Sequence, residues 1–267
     1  MKRTLPLLLA LATVATFSAR ADVAAKIKLS PEGQEIPCQL RWLPADKVYN
    51  ITTKTPSGSM SEQRKKADDI YSFVVAPPKN WQAIVGQLGK SPDAVVPQLQ
   101  AIAKEYKMLQ YDCEAGRLLG TIYLKKGNPA QALKLMNEIK MGNPKACSDS
   151  RMAPVYWQAM IDAKQTSGMA AMLERGAQSA DRLVAGKACV LRGKLLMQEN
   201  KPKDALKDGF LRAALLFGDQ PEVQAEGLYE AAMAFDKMNQ STQAEKMRSQ
   251  LLSKYRNSPF AAKLNGR

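Results

Sequence analysis

Two consecutive prolines, Pro77-Pro78, separate two stretches of chain whose apolar residues recur with different periods, and this change restricts the fold more than any other feature. Before the prolines the apolar residues tend to alternate with polar ones, the repeat of a strand with one face buried. After them apolar residues recur every three to four positions, the repeat of an amphipathic helix, and this continues to the C-terminal end. The expected architecture is a small β region followed by a long helical one.

The β region offers four or five short strands. Residues 26–29 alternate, and residues 36–42 place Cys38, Leu40 and Trp42 on one face. Residues 48–53 put Val48, Asn50 and Thr52 on one face and Tyr49, Ile51 and Thr53 on the other. Residues 70–75 are β-branched and aromatic. Ser30-Pro31-Glu32-Gly33, Pro44-Ala45-Asp46 and Pro56-Ser57-Gly58-Ser59 read as the intervening turns. The order of strand, polar turn, long hairpin, charged segment and last strand predicts a small meander or barrel over residues 22–76. In pattern it is similar to SH3-like or Sm-like barrels. The charged segment holds the one dense basic run, Arg64-Lys65-Lys66.

In the helical region, Asn80 is placed to cap a helix in which Trp81, Ile84, Val85 and Leu88 share a face. Ser91-Pro92-Asp93 opens a second helix carrying Val95, Val96, Leu99, Ile102, Ala103 and Tyr106. With Gly89 between them, residues 79–108 read as a helical hairpin. A recurring signature follows. Gly120, Tyr123, the turn Gly127-Asn128-Pro129, Ala132 and a terminating Pro144 return as Gly193, Leu196, Asn200-Lys201-Pro202 and Ala205. They return again as Ala232, Phe235, Asn239 and Ala244. Pro129 stands where a helix tolerates proline, in its first turn.

These positions resemble the tetratricopeptide repeat, a pair of antiparallel helices of about 34 residues. The turns at Gly127 and Asn200 lie about two such lengths apart. A degenerate unit therefore falls between them, with Tyr156, Trp157 and Met160 on its first helix, a turn near residues 165–168, and Met169, Met172 and Leu173 on its second. The resemblance implies a mainly α fold, with a right-handed solenoid of about four helical hairpins over residues 110–263. In this family the first helix of each pair lines a concave groove that binds peptides. That implies contact positions Glu114, Arg117, Thr121 and Leu124 in the first unit, and Tyr156 and Met160 in the second. The third contributes Lys187, Val190, Lys194 and Met197, and the fourth Glu226, Tyr229, Met233 and Asp236. Met, Tyr and long cations suit adaptable peptide binding. The alternative is that the chain itself fills the groove. Residues 254–261 are also similar to repeat endings of bacterial envelope proteins of the Tol–Pal accessory and outer-membrane assembly type, although Ser258-Pro259 reads equally as a helix cap.

Residues 1–21 carry the pattern of a secretory signal peptide: Lys2 and Arg3, an uncharged apolar run over residues 5–17, then Ala19-Arg20-Ala21 before Asp22. The apolar run falls short of the roughly 20 residues that cross a bilayer core. The chain is expected to be exported, periplasmic or secreted, and not membrane-spanning.

The absence of histidine removes Ser-His-Asp and Cys-His catalysis and histidine metal sites. No spacing isolates a carboxylate pair, since Asp68-Asp69, Asp204 and Asp208 read as solvated charge. No catalytic residue, metal or cofactor is therefore expected. A formal charge of +14 fits solubility or attraction to anionic surfaces. Its cations are scattered, and no aromatic-interleaved basic motif points to nucleic acid. Four cysteines, Cys38, Cys113, Cys147 and Cys189, permit two disulfides in an oxidising compartment. In antiparallel helical hairpins Cys113 and Cys147 come to one edge, with Cys147–Cys189 as the competing pair and Cys38 left as a buried thiol. The expected function is a non-enzymatic adaptor that holds a protein or peptide in the bacterial cell envelope. The alternative is a basic surface protein that holds anionic polysaccharide or lipid.

Overall fold

The computed structural model describes residues 22–143 and 151–265, so the expected signal peptide, Pro144 and Cys147 lie outside the described residues. The chain divides into two compact units, residues 1–75 and residues 76–267.

The first unit is a five-stranded antiparallel sheet built from β1 (Val23–Lys28), β2 (Ile36–Leu43), β3 (Val48–Lys54), β4 (Met60–Lys66) and β5 (Ser72–Val75). The strands lie in the order β4-β3-β2-β1-β5, a four-strand meander to which β5 returns beside β1. Alternation places Val23, Ala25 and Ile27 of β1 and Cys38, Leu40 and Trp42 of β2 in the core. Tyr49 of β3 joins Trp42 at 4.8 Å and Phe73 of β5 at 5.3 Å between ring centroids. In a flat sheet β3 and β5 would stand about 14 Å apart, so this contact means that the sheet curls over its aromatic core. The curl stops short of closure among the described residues, because β4 and β5 are its two edges.

Two features depart from the expected pattern. The charged segment is itself a strand, β4, paired along its length with β3. Its position at an edge accounts for its composition, since cations there discourage further strand pairing. Residue β3 positions Asn50 and Thr52 are also buried, so both faces of that strand are covered where one was expected. The register sets Asn50 between Arg41 and Arg64 on the same face, where arginine stems cover neighbouring surface.

The second unit is helical. It begins with α1 (Trp81–Gln87) and α2 (Pro92–Glu105), followed by α3 (Tyr111–Lys125), α4 (Pro129–Gly142), α5 (Ala153–Asp162), α6 (Met169–Gly176) and α7 (Arg182–Gln198). A continuous stretch of α8 (Pro202–Ala205), a π-turn (Leu206–Phe210) and α9 (Leu211–Leu216) leads to α10 (Pro221–Lys237), α11 (Ser241–Lys254) and α12 (Pro259–Asn265). Asn80 stands at the start of α1 but makes no side-chain capping bond; it is in the left-handed region instead. Proline opens α2, α4, α8 and α10, where its missing N–H costs nothing.

One turn recurs four times. At the ends of α3, α5, α7 and α10, Gly127, Lys164, Asn200 and Asn239 adopt φ of 70°, 58°, 59° and 58°. Behind each, the next N–H reaches back five residues: Asn128 to Tyr123, Gln165 to Met160, Lys201 to Leu196 and Gln240 to Phe235, at 2.8–3.0 Å. The left-handed residue's own N–H bonds the carbonyl three back, from Gly127 to Leu124 and likewise in the other three. This is the Schellman arrangement, which satisfies the last carbonyls of a helix and turns the chain back. Glycine and asparagine tolerate the conformation; Lys164 does not do so readily. The turn after α5 thus lacks the glycine or asparagine that the other three carry at this place.

Packing follows the chain. α3 rests on α4, α4 on α5, α6 on α7, α7 on the α8–α9 stretch, α9 on α10 and α10 on α11. The first helices also touch in succession, α3 with α5, α5 with α7 and α7 with α10. Small residues allow the closest approaches. A Cβ on Gly120 would collide with Met136, and one on Gly209 would lie 2.6 Å from the backbone nitrogen of Gly193. Ala132, Ala205 and Ala244 are fully buried.

Gly209→Ala is expected to cost about 1–3 kcal/mol by overpacking α7 against the π-turn, read as a lower urea midpoint. Lys164→Gly should act in the opposite sense and raise the midpoint, by about 0.5–1 kcal/mol, because it removes a left-handed strain at the price of some chain entropy.

Candidate interaction surface

The first helices α3, α5, α7 and α10 carry the positions that the repeat resemblance marks for partner binding. On α7, Lys187 and Lys194 stand two turns apart; on α10, Glu222, Glu226 and Glu230 stand one turn apart. Packing α7 against α10 brings these two stripes together. Lys187 Nζ donates to Glu222 Oε1 at 2.6 Å and to Glu226 Oε2 at 2.8 Å. Lys194 Nζ donates to the other Glu226 oxygen at 2.6 Å and to Gln158 Oε1 of α5 at 3.1 Å, and lies 3.7 Å from Glu230. Glu226 is therefore bridged by two ammonium groups, with its side chain only 8% exposed.

The electrostatics follow from this geometry. Burial by itself would raise the Glu226 carboxyl, but Lys194 and Lys187 overcome that and hold it at about 2. Burial likewise works against the charge on Lys187 and Lys194, and their carboxylate neighbours more than restore it, raising both. Glu230 goes the other way. Burial raises its carboxyl, and the Lys194 contact is too long to reverse this beside the Glu226 charge.

The remaining expected contact residues divide by exposure. Arg117 is half-buried and donates through Nε and Nη2 to Glu114 Oε2 at 3.1 and 3.0 Å. Thr121, also half-buried, donates its hydroxyl to the Arg117 carbonyl at 2.8 Å, and Leu124 continues the same face of α3. Tyr156 and Met160 are buried. The Tyr156 hydroxyl accepts from Lys140 at 3.2 Å and donates to Asn137 at 3.3 Å, so this ring ties α5 to α4 instead of reaching outward. Val190 is buried with Ala185, Phe217 and Val223. Met197 packs on the Leu206–Phe210 cluster. Tyr229 is covered by α12, with the Phe260 ring at 5.9 Å and Lys263 over both rings. Met233 is half-buried and Asp236 binds Arg248. Over α7 and α10 the chain thus fills its own first-helix face, and only the α3 end keeps a half-open polar surface.

The ion cluster also shows what position-by-position reading left out. Glu222, Glu230 and Gln158 were absent from the expected contact set. A glutamate stripe on one predicted helix matched by a lysine pair on another was the available signal. One cysteine departs from its expected place. Cys189, expected at the start of a helix, lies inside α7, buried in an apolar cluster. Cys113 lies in the first turn of α3, half-buried. Cys38 is buried in the sheet, where burial pushes its thiol up, as it does that of Cys189. Among the described residues no His/Cys/Asp/Glu group is arranged to hold a metal ion, and no helix is long and apolar enough to cross a membrane. The chain matches no protein-family model, no characterised protein and no solved structure.

Glu226→Gln leaves two half-buried ammonium groups short of their shared carboxylate and is expected to cost about 3 kcal/mol in chemical denaturation at neutral pH. Because the folded value of Glu226 lies below its ordinary 4.5, its stabilisation is complete above that value and is lost as pH falls through about 2. Glu230 has the opposite sign: its raised folded value means that ionisation opposes folding as pH rises. Glu230→Gln should therefore leave stability at neutral pH unchanged or higher, and a loss equal to that of Glu226→Gln would contradict this division of roles.

Proposed function

We propose that this protein is an exported, non-enzymatic adaptor of the tetratricopeptide type, whose helix pairs form a right-handed solenoid that holds a protein partner in the bacterial cell envelope. The observation that carries the reading is the fourfold recurrence of one left-handed cap, at the ends of four helices that touch in succession, α3 with α5, α5 with α7 and α7 with α10. Stacked units of this kind build a continuous surface from side chains of successive repeats, which suits an extended partner. Since the ion cluster and α12 occupy the face over α7 and α10, the partner would sit towards α3, against Arg117, Thr121 and Leu124. The leader pattern of residues 1–21 and the ending at residues 254–261 support placement in the envelope.

A second reading, retention on anionic polysaccharide or lipid, is favoured by β4, where Arg64, Lys65 and Lys66 lie together on an edge strand. Salt separates the two, because contacts to a polyanion weaken steeply with ionic strength whereas apolar contacts do not.

A photo-crosslinking amino acid at Leu124, activated in intact cells, should give a discrete protein adduct that survives washing at high ionic strength. Recovery of no protein adduct would sink the adaptor reading, and salt-sensitive retention on cell-wall or lipid fractions would favour the second. N-terminal sequencing of the mature protein should begin at Asp22; a chain that retains Met1 would refute export.

A further inference from the structure

Beside α9, on the second helix of its pair and away from the ion cluster, lies an open groove of about 500 Å³. Its walls are Leu206, Leu211, Leu215, Leu216, Phe235 and Met238. Leu215 and Leu216 are 73% and 57% exposed, unusually open for adjacent leucines in a well-packed helical unit. The polar lining is Lys203, Lys207, Arg212 and Gln240, with no carboxylate.

The π-turn creates this arrangement. The Leu211 N–H bonds the carbonyl of Leu206, five residues back. The wider turn brings residues five apart nearer to one face, where an α-helix would rotate them well apart. Leu211 thus shares the groove wall with Leu206, and Arg212 with Lys207, so apolar and cationic side chains from both sides of the turn line the groove. The turn is imposed from beneath, where Gly209 lies against Gly193 and Phe210 fills the space over Gly193. The far end is held in place by Arg182. Its guanidinium donates to both Asp219 oxygens at 2.6 and 2.7 Å and to the Leu216 carbonyl at 2.7 Å, while lying 5.0 Å from the Phe217 ring centre. The projecting leucines therefore stand on a fixed backbone, which lowers the ordering cost of binding.

We propose that this groove docks an apolar segment of a partner protein whose flanks carry Asp or Glu. Charge complementarity selects the occupant: three exposed cations border the apolar floor, and none of them is in an ion pair with a described carboxylate. A second copy meeting the groove through the same patch would set these cations against themselves. The chain's own apolar stretch at residues 5–17 is flanked by Lys2, Arg3 and Arg20, with the first acid further off at Asp22, so its immediate flanks have the wrong sign. A lipid tail gains most where walls enclose it, whereas here two leucines project and would insert between side chains of a protein surface. The site is independent of the first-helix face and shares with it only the protein nature of the partner.

The test is selection of a random peptide library, displayed on phage, against the protein purified after expression of the whole chain. Leucine-bearing sequences flanked by Asp or Glu are expected. The best of them, synthesised, should lose about ten-fold or more in affinity to a Leu215→Ser, Leu216→Ser double variant. A similar loss is expected with Lys207→Glu, Arg212→Glu, and exchange of the peptide's acids for lysines should restore binding to that variant. All four positions are exposed, so unchanged circular dichroism and melting identify the loss as local. Recovery of no peptide, of peptides without acidic bias, or of peptides that bind both variants as well as the parent overturns the proposal. So does a concentration-dependent dimer abolished by the leucine variant, which would give the groove to a second copy. The Leu124 crosslink reports on a different helix, so the two readings fail separately.

Discussion

The helical unit depends on reversing the chain at one residue held in the left-handed region. Each of the four caps satisfies the last carbonyls of a first helix and delivers the next residues in the opposite direction within a few positions. Where the following helix packs back on the first, as α4 does on α3, the α8–α9 stretch on α7 and α11 on α10, small residues are needed at the crossing. That need is most acute at Gly193, which faces both Gly209 and Phe210. There the second helix accommodates the crowding by taking up an extra residue, and the consequence appears on its outer side as leucines and cations that line one groove. A backbone event at the helix crossing is thus linked, through a single turn, to the chemistry displayed on the surface.

Much of this organisation is legible in the residues, and the exceptions have physical causes. Cys38, Leu40 and Trp42 declare the inner face of β2 by alternation alone. Gly127, Asn200 and Asn239 declare three turns because they are residue types that accept a positive φ. Lys164 occupies the same place without that chemistry, so its turn could be inferred only from spacing. The burial of Asn50 and Thr52 was not legible, since it depends on which long side chains lie on the neighbouring strands. The π-turn leaves no trace in periodicity over so short a stretch.

Contact positions carried over from a repeat pattern fared according to their surroundings. Arg117 and Thr121 remain half-open, with their polar groups turned to Glu114 and to the backbone of α3 itself. Tyr156, Met160 and Val190 are buried, because in this chain neighbouring helices approach closely enough to enclose them. Lys194 was marked as a position for a partner, yet its partners are already present in Gln158 and Glu226. Local position within a helix pair says which way a side chain points; only tertiary packing says what it meets. The strongly basic balance of the chain also conceals this arrangement, since the one deeply placed carboxylate of the cluster is matched locally by two lysines.

The short helix α12 has a consequence for assembly. Phe260, Ala261 and Leu264 lie on the apolar strip formed by Leu228, Tyr229 and Leu251, with Lys263 turned over the aromatic pair. An apolar strip of this kind on α10 and α11 would otherwise be open to another helix. With α12 seated there, any further helix could reach the same residues only by displacing Phe260, Ala261 and Leu264 first.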